Sequence, residues 1–270
     1  MKGILLAAVC VAVVLTAAIS GCTDEETGPE VTASFDEEYR ANEKTTLNVE
    51  NPDGLISITG GKGSGIVVTA VKRTRQGEDE LDKVEITGLK SGNKLTIRAA
   101  WISVLPPRVT VDMDITVPTY VTVESVRLSN GDVRISGTKG DTAVSCFNGD
   151  VLFSGVDGYV AAEVTDGTIE VRDTEGIGDL KVKNGRIEAE VYDVRGDVVI
   201  ELANGDAVVS IDPSLNAAVV LKTANGVVSV GDLPLHFTKE TGREAEGVLG
   251  TGGPTSMITT TNGDVNVDSL

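Results

Sequence analysis

Around seven dipeptides the chain alternates apolar and polar residues in a fixed phase. The dipeptides are Asn130-Gly131, Asn148-Gly149, Asp166-Gly167, Asn184-Gly185, Asn204-Gly205, Asn225-Gly226 and Asn262-Gly263. Counted from the Asn or Asp, positions +3 and +5 are Val133/Ile135, Val151/Phe153, Ile169/Val171, Ile187/Ala189, Ala207/Val209, Val228/Val230 and Val265/Val267. Positions −4 and −2 are Val126/Leu128, Val144/Cys146, Ala162/Val164, Leu180/Val182, Ile200/Leu202, Leu221/Thr223 and Ile258/Thr260. Alternation with period two predicts a half-buried strand before and after each dipeptide. Asn tolerates left-handed backbone and Gly carries no Cβ, so the dipeptide itself reads as a turn.

Two architectures share this phase. A tight hairpin would set the two flanks against each other across the turn. A β-solenoid would make each dipeptide a corner between two walls of a coil. The spacing favours the solenoid: the first intervals are 18, 18 and 18 residues, then 20, 21 and 37. Stacked coils need equal perimeters, whereas hairpins do not. Second Gly-rich corners inside the period ("SGTKGD", "SGVDGY", "DTEGIGD") complete coils of about 18 residues. The last interval is close to two periods and predicts that the loop "KETGREAEGVLGTGGP" replaces one turn, leaving "TTNGDVNVDSL" as a terminal cap or docking edge. Residues 46–125 also alternate, less regularly, and no amphipathic helix is evident after residue 30. The fold class is therefore all-β: a solenoid over 46–270, irregular over 46–125 and repetitive over 126–270.

Composition sharpens this. Aromatics make up 3% of the chain against 40% hydrophobic residues, so the core is built from Val, Ile, Leu and Ala, which suits thin β layers. The net charge of −18 predicts a soluble chain that repels nucleic acid and anionic lipid surfaces. Before the strands lies "MKGILLAAVCVAVVLTAAISGC": a basic Lys2, an apolar run, then Cys22. This predicts a signal peptide over 1–21 ending in a sequence that resembles a bacterial lipobox, with Cys22 as the lipid-attachment residue. Residues 22–45 are acidic and read as a flexible tether. With Cys10 in the leader and Cys22 acylated, Cys146 has no disulfide partner, and its inward position makes it a small core residue.

The series "DITVPTYVTVESVRLSNGDVRISGTKGDTAVSCFNGDVLFSGVDGYVAAEVTDGTIEV" and the ending "GVLGTGGPTSMITTTNGDVNV" resemble the putative-adhesin family of unknown function, grouped with the toastrack β-domains of envelope-stress membrane proteins. The resemblance spans roughly 46–270 and implies a β-helix-like solenoid at the cell envelope. It brings no catalytic residues.

Candidate chemistry is sparse. Calcium would need a column of acids. Position +2 reads Asp132, Asp150, Thr168, Arg186, Asp206, Val227 and Asp264 in chain order, and only Asp132 and Asp150 are adjacent carboxylates. The single histidine, His236 in "DLPLHFTKE", has no partner pattern, and "GGKGSG" (60–65) reads as a turn. The only tryptophan, Trp101 in "WISVLPPR", reads as part of a loop over the core. No catalytic, metal or cofactor site is predicted. The expected role is a non-enzymatic, lipid-anchored, extracytoplasmic module that binds a protein or glycan as an adhesin or scaffold. The alternatives are an envelope-stress component packed on a membrane partner and a carbohydrate-active β-helix enzyme.

Overall fold

A computed structural model describes residues 28–270. The leader and Cys22 lie outside the described residues. In chain order the strands are β1 (Val31–Arg40), β2 (Thr46–Asp53), β3 (Ile56–Gly61), β4 (Gly65–Thr74), β5 (Val84–Ser91), β6 (Lys94–Trp101), β7 (Thr110–Pro118), β8 (Thr122–Asn130), β9 (Val133–Ser136), β10 (Thr142–Asn148) and β11 (Val151–Ser154). They continue with β12 (Tyr159–Arg172), β13 (Gly176–Val191), β14 (Val198–Asn204), β15 (Ala207–Ile211), β16 (Ala217–Asn225), β17 (Val228–Val230), β18 (His236–Thr241), β19 (Glu244–Leu249), β20 (Thr255–Asn262) and β21 (Val265–Ser269). A single helical turn, Glu78–Leu81, precedes β5 and buries Leu81.

All of them join one 21-stranded sheet wound into a solenoid. The first wall runs β5, β6, β2, β8, β10, the first half of β12, the first half of β13, β14, β20, β16, β19 and β18. The second wall runs β1, β4, β7, β3, β9, β11, the second halves of β12 and β13, β15, β21 and β17. Pairing is parallel from β6 to β16 and from β7 to β17, and antiparallel only at the ends. Parallel partners 18 residues apart, such as Cys146 on Leu128, rule out the hairpin reading. Antiparallel strands at the ends cover edges that would otherwise invite another chain.

The repeat phase places the core. Every −4 and −2 residue is buried, and so is every +3 and +5 residue except Val228 and Val230, which are half-buried in the last coil of the stack. Phe153 is the aromatic that lies fully inside.

Two expectations need correction. The stretch 31–40, placed in the flexible tether, is β1. Val31 is buried, Ala33, Phe35 and Tyr39 pack against the core, and the strand pairs with β4 from Val31↔Thr74 to Arg40↔Gly65. Its other face carries the acids that made the composition look unstructured. Second, the chain's final coil is neither a cap nor an edge. β20 lies between β14 and β16, and β21 between β15 and β17. The long interval is not a coil with one turn lost: β16 and β17 leave a coil's width empty, the β18–β19 hairpin turns the chain back, and β20–β21 fills the gap. The other end mirrors this, since β6 and β7 stack outside β2 and β3, which precede them in the chain.

Candidate functional site

The predicted turn residues form one column along the stack. In spatial order it reads Asp53, Asn130, Asn148, Asp166, Asn184, Asn204, Asn262 and Asn225. From Asp166 onward the side chains bond one another. Asn184 Nδ2 donates to Asp166 Oδ1 at 2.7 Å, Asn204 to Asn184 at 2.7 Å, Asn262 to Asn204 at 2.7 Å and Asn225 to Asn262 at 2.9 Å. Beside it runs the glycine column of Gly131, Gly149, Gly167, Gly185, Gly205, Gly263 and Gly226, packed backbone on backbone. At position +2 the acids also bond along the stack. Asp150 Oδ1 accepts the Thr168 N–H at 2.8 Å, Asp206 Oδ1 the Asp264 N–H at 2.8 Å, and Asp264 Oδ1 the Val227 N–H at 2.8 Å. These residues are already satisfied by their neighbours and offer a ligand little.

The outer face of the first wall is different. A cleft of about 630 Å³ lies across β6, β2, β8, β10 and β12. Trp101 and Phe147, 41% and 56% exposed, both line it. Its floor is small and polar or apolar by turns, with Pro52, Ser129 and Ser145. Glu50 sits between two guanidinium groups, 3.4 Å from Arg98 and 3.4 Å from Arg127. Pairing places these residues in one cross-strand row: Arg98, Glu50, Arg127, Ser145, Glu163. Such opposite-charge neighbours are modestly stabilising. The cleft is thus near neutral in a chain of charge −18 and carries exposed aromatic surface where the rest of the wall has little.

The same row argues against glycoside hydrolysis. Glu50 and Glu163 are three strand spacings apart, ~14 Å at ~4.8 Å per strand. Paired glycosidase carboxyls stand ~5–9.5 Å apart. Glu50 is also committed to two arginines.

The Toastrack DUF4097 family matches residues 32–268. The chain belongs to that family. No curated protein matches the chain. Among solved structures, a putative adhesin from Bacteroides fragilis is 14% identical, with 88% of this chain and 97% of that one covered and a TM-score of 0.44. A putative cell adhesion protein from Clostridium sporogenes is 15% identical, covering 88% and 100%, at a TM-score of 0.35. A putative lipid binding protein from Parabacteroides distasonis is 10% identical, covering 86% and 96%, at 0.35.

Within this Toastrack solenoid the remaining candidates fall into place. The +2 column is not in chain order: insertion of the final coil sets Asp264 directly beside Asp206, a second carboxylate pair that chain order hides. In each pair a backbone N–H from the next coil bonds one carboxylate oxygen: the Asp150 N–H on Asp132 Oδ1 at 3.2 Å and the Asp264 N–H on Asp206 Oδ1 at 2.8 Å. Among the described residues no group of three or more His, Cys, Asp or Glu side chains is placed to hold a metal ion. His236 lies on the exposed strand β18, opposite Val248. Cys146 is buried, its Sγ sits 3.6 Å from the Gly131 carbonyl oxygen, and burial pushes its thiol up to about 11, away from the thiolate that reactivity needs. Trp101 corrects a further expectation. The loop after it does not cover the core: Ile102, Val104 and Leu105 are exposed. Phe147 was missed by sequence reasoning. Its signal is that −1 is otherwise Ser129, Thr165, Lys183, Ala203, Ala224 and Thr261.

Proposed function

We propose that this Toastrack protein is a lipid-anchored, extracytoplasmic binding module with no catalytic role, which presents its first-wall cleft to a protein or glycan of the cell envelope. The observation that carries this reading is the contrast in use: the repeated Asn, Gly and Asp residues bond one another, while Trp101 and Phe147 remain exposed across a wall cleft. Exposed aromatics of this kind serve as binding anchors, since they bring large apolar area at low entropic cost. Acylation at Cys22 supplies the attachment to the membrane, and two lipid signals are needed for it to be stable. The lipobox-like end of the leader and the family's envelope character support it.

The test is capture from native envelopes by the full-length protein, compared with Phe147→Asp. Phe147 is exposed, so the substitution leaves the core intact. The expected result is a partner band that Phe147→Asp loses and Val227→Asp, at the far end of the stack, keeps. Equal capture by all three proteins would remove the cleft from the function.

A further inference from the structure

Inner coils cross from first wall to second on two residues. The coil that caps the stack crosses instead on residues 102–109, between β6 and β7. This longer crossing is apolar at its tip: Ile102 is 64% exposed, Leu105 77% and Val104 fully. It is also built. Ser103 Oγ donates to the Leu105 carbonyl at 2.6 Å, and Pro106-Pro107 fix the backbone behind it. Three neighbouring aliphatic side chains held in water by a rigid loop call for a cover.

The position of the N-terminal segment says what the cover is. The Gly28 N–H donates to the Arg75 carbonyl at 3.0 Å, just past the end of β4. Thr74 Oγ1 donates to the Arg108 carbonyl at 2.6 Å. Glu30, Arg75, Pro107 and Arg108 line a single surface cleft. The chain therefore enters the solenoid beside the base of this tip. Cys22 precedes Gly28 by six residues, which reach ~21 Å at most at ~3.5 Å per residue. An acyl chain on Cys22 holds the bilayer within that distance. Two acids near the tip are neutralised, Glu30 by Arg75 at 3.9 Å and Glu80 by Lys83, while Glu78 and Asp79 on the neighbouring turn form no ion pair among the described residues, so the surface that fits is zwitterionic rather than anionic lipid.

We propose that Ile102, Val104 and Leu105 dip into the interfacial zone of the lipid surface, making this tip a second membrane contact beside the anchor. The proposal rests on the lipid-anchor reading above. It sets the capping end of the stack against the bilayer and Trp101, at the β6 edge of the cleft, at the level of the head groups, where tryptophan is favoured, and leaves Phe147, three strands further along the wall, to the partner.

Trp101 is the only tryptophan in the chain, so it reports on the tip directly. The full protein, purified from membranes, is reconstituted into phosphatidylcholine vesicles, and the mass of its N-terminal peptide is measured in parallel. With an acylated Cys22, the expected result is a blue shift of Trp101 emission and its loss with brominated phosphatidylcholine. Both should vanish in Ile102→Ser/Val104→Ser/Leu105→Ser, whose exposed positions leave the fold unaffected. An acylated protein whose Trp101 ignores brominated lipid overturns the tip contact and leaves the anchor standing. A blue shift of Trp101 seen in native membranes but absent from pure lipid also overturns it, and assigns the tip to a membrane protein. An unmodified Cys22 overturns the anchor, and the second contact that depends on it falls too.

Discussion

The solenoid has two edges where the chain passes between walls, and they treat glycine differently. On the Asn-Gly edge, glycine φ values run from 120° to 147° between Gly131 and Gly263, outside the left-handed helical region that Asn and Asp adopt. A Cβ on any of them would also overlap the carbonyl oxygen of the glycine in the adjoining coil. On the opposite edge the corresponding residues are Gly137, Gly155 and Asp173, with φ of 59°, 63° and 50°. A Cβ there meets nothing closer than 4.0 Å at Gly137 and 3.9 Å at Gly155. Further along this edge side chains fill the corner: Arg195 lies 3.6 Å over the Tyr159 ring and 2.7 Å from Asp141. One edge thus demands glycine for space and backbone together. The other asks, at this position, only for left-handed backbone, which Asp also supplies; its need for space falls three residues on, where a Cβ on Gly158 would lie 2.4 Å from the Gly140 carbonyl oxygen.

The comparison breaks most sharply with one pair of substitutions. Gly185→Ala should cost about 3 kcal/mol or more, since the methyl group must displace the Gly167 backbone in a strained conformation. Gly155→Asn should cost about 1 kcal/mol or less, because Asn enters left-handed backbone readily and the site is open. Urea unfolding of both variants measures the difference. Equal losses would mean that φ alone, not the close approach of coils, sets the glycine column.

Much of this was legible in the sequence, because the phase of Val151 and Phe153 or Cys146 and Val144 about an Asn-Gly fixes which face is buried whatever the coil's neighbours are. Stacking order is not written there. The strands around Asn225 and Asn262 have the same pattern whether the two coils follow one another or trade places, and only pairing shows Asn262 lying between Asn204 and Asn225. Strand β1 was hidden for a related reason: an edge strand buries one side lightly, and Asp36 and Glu38 on the other side resemble a solvated linker. The cleft was half visible. Trp101 stood out by rarity, but its exposure depends on where β6 parts from β2, after Arg98, and its aromatic companion Phe147 lies 46 residues away in the chain.

The amide ladder offers a gentler test of the same edge. Asn184 donates to Asp166 and accepts from Asn204, both at 2.7 Å, whereas Asn225 ends the column with one such bond. Solvent competes for these exposed groups, so each bond contributes about 0.5–1 kcal/mol. Asn184→Ala should therefore destabilise by about 1–2 kcal/mol and Asn225→Ala by about half as much. Thermal melts of the two variants would show it. Equal losses would assign the column's value to the turn preference of Asn rather than to the ladder.

The smallest effect concerns how the Asn-Gly edge ends. Beyond Asn225 there is no further coil, and the turn between β18 and β19 takes its place: the Gly242 carbonyl accepts the Val228 N–H at 3.1 Å and the Arg243 carbonyl accepts the Thr223 N–H at 3.0 Å. Beside that turn Lys222 bonds Glu244 at 2.8 Å and Glu246 at 3.3 Å, and Lys239 also pairs with Glu244. The two lysines, Lys222 foremost, hold the Glu244 carboxyl down at about 2, from an ordinary value of 4.5. A carboxyl depressed on folding adds stability above its unfolded value and loses it as pH falls through the folded one. The cap should therefore loosen between pH 4.5 and about 2, and not in the neutral range. The pair is solvent-exposed, so the change is small and salt screens it. Hydrogen exchange at the Val228 amide, followed over that pH window in wild type and Glu244→Gln, separates this from general acid unfolding. Wild type should gain exchange relative to the variant as the carboxyl protonates, at low salt more than at high. Parallel behaviour of the two proteins would leave the corner capped by its backbone bonds alone, as the inner corners are by their neighbours.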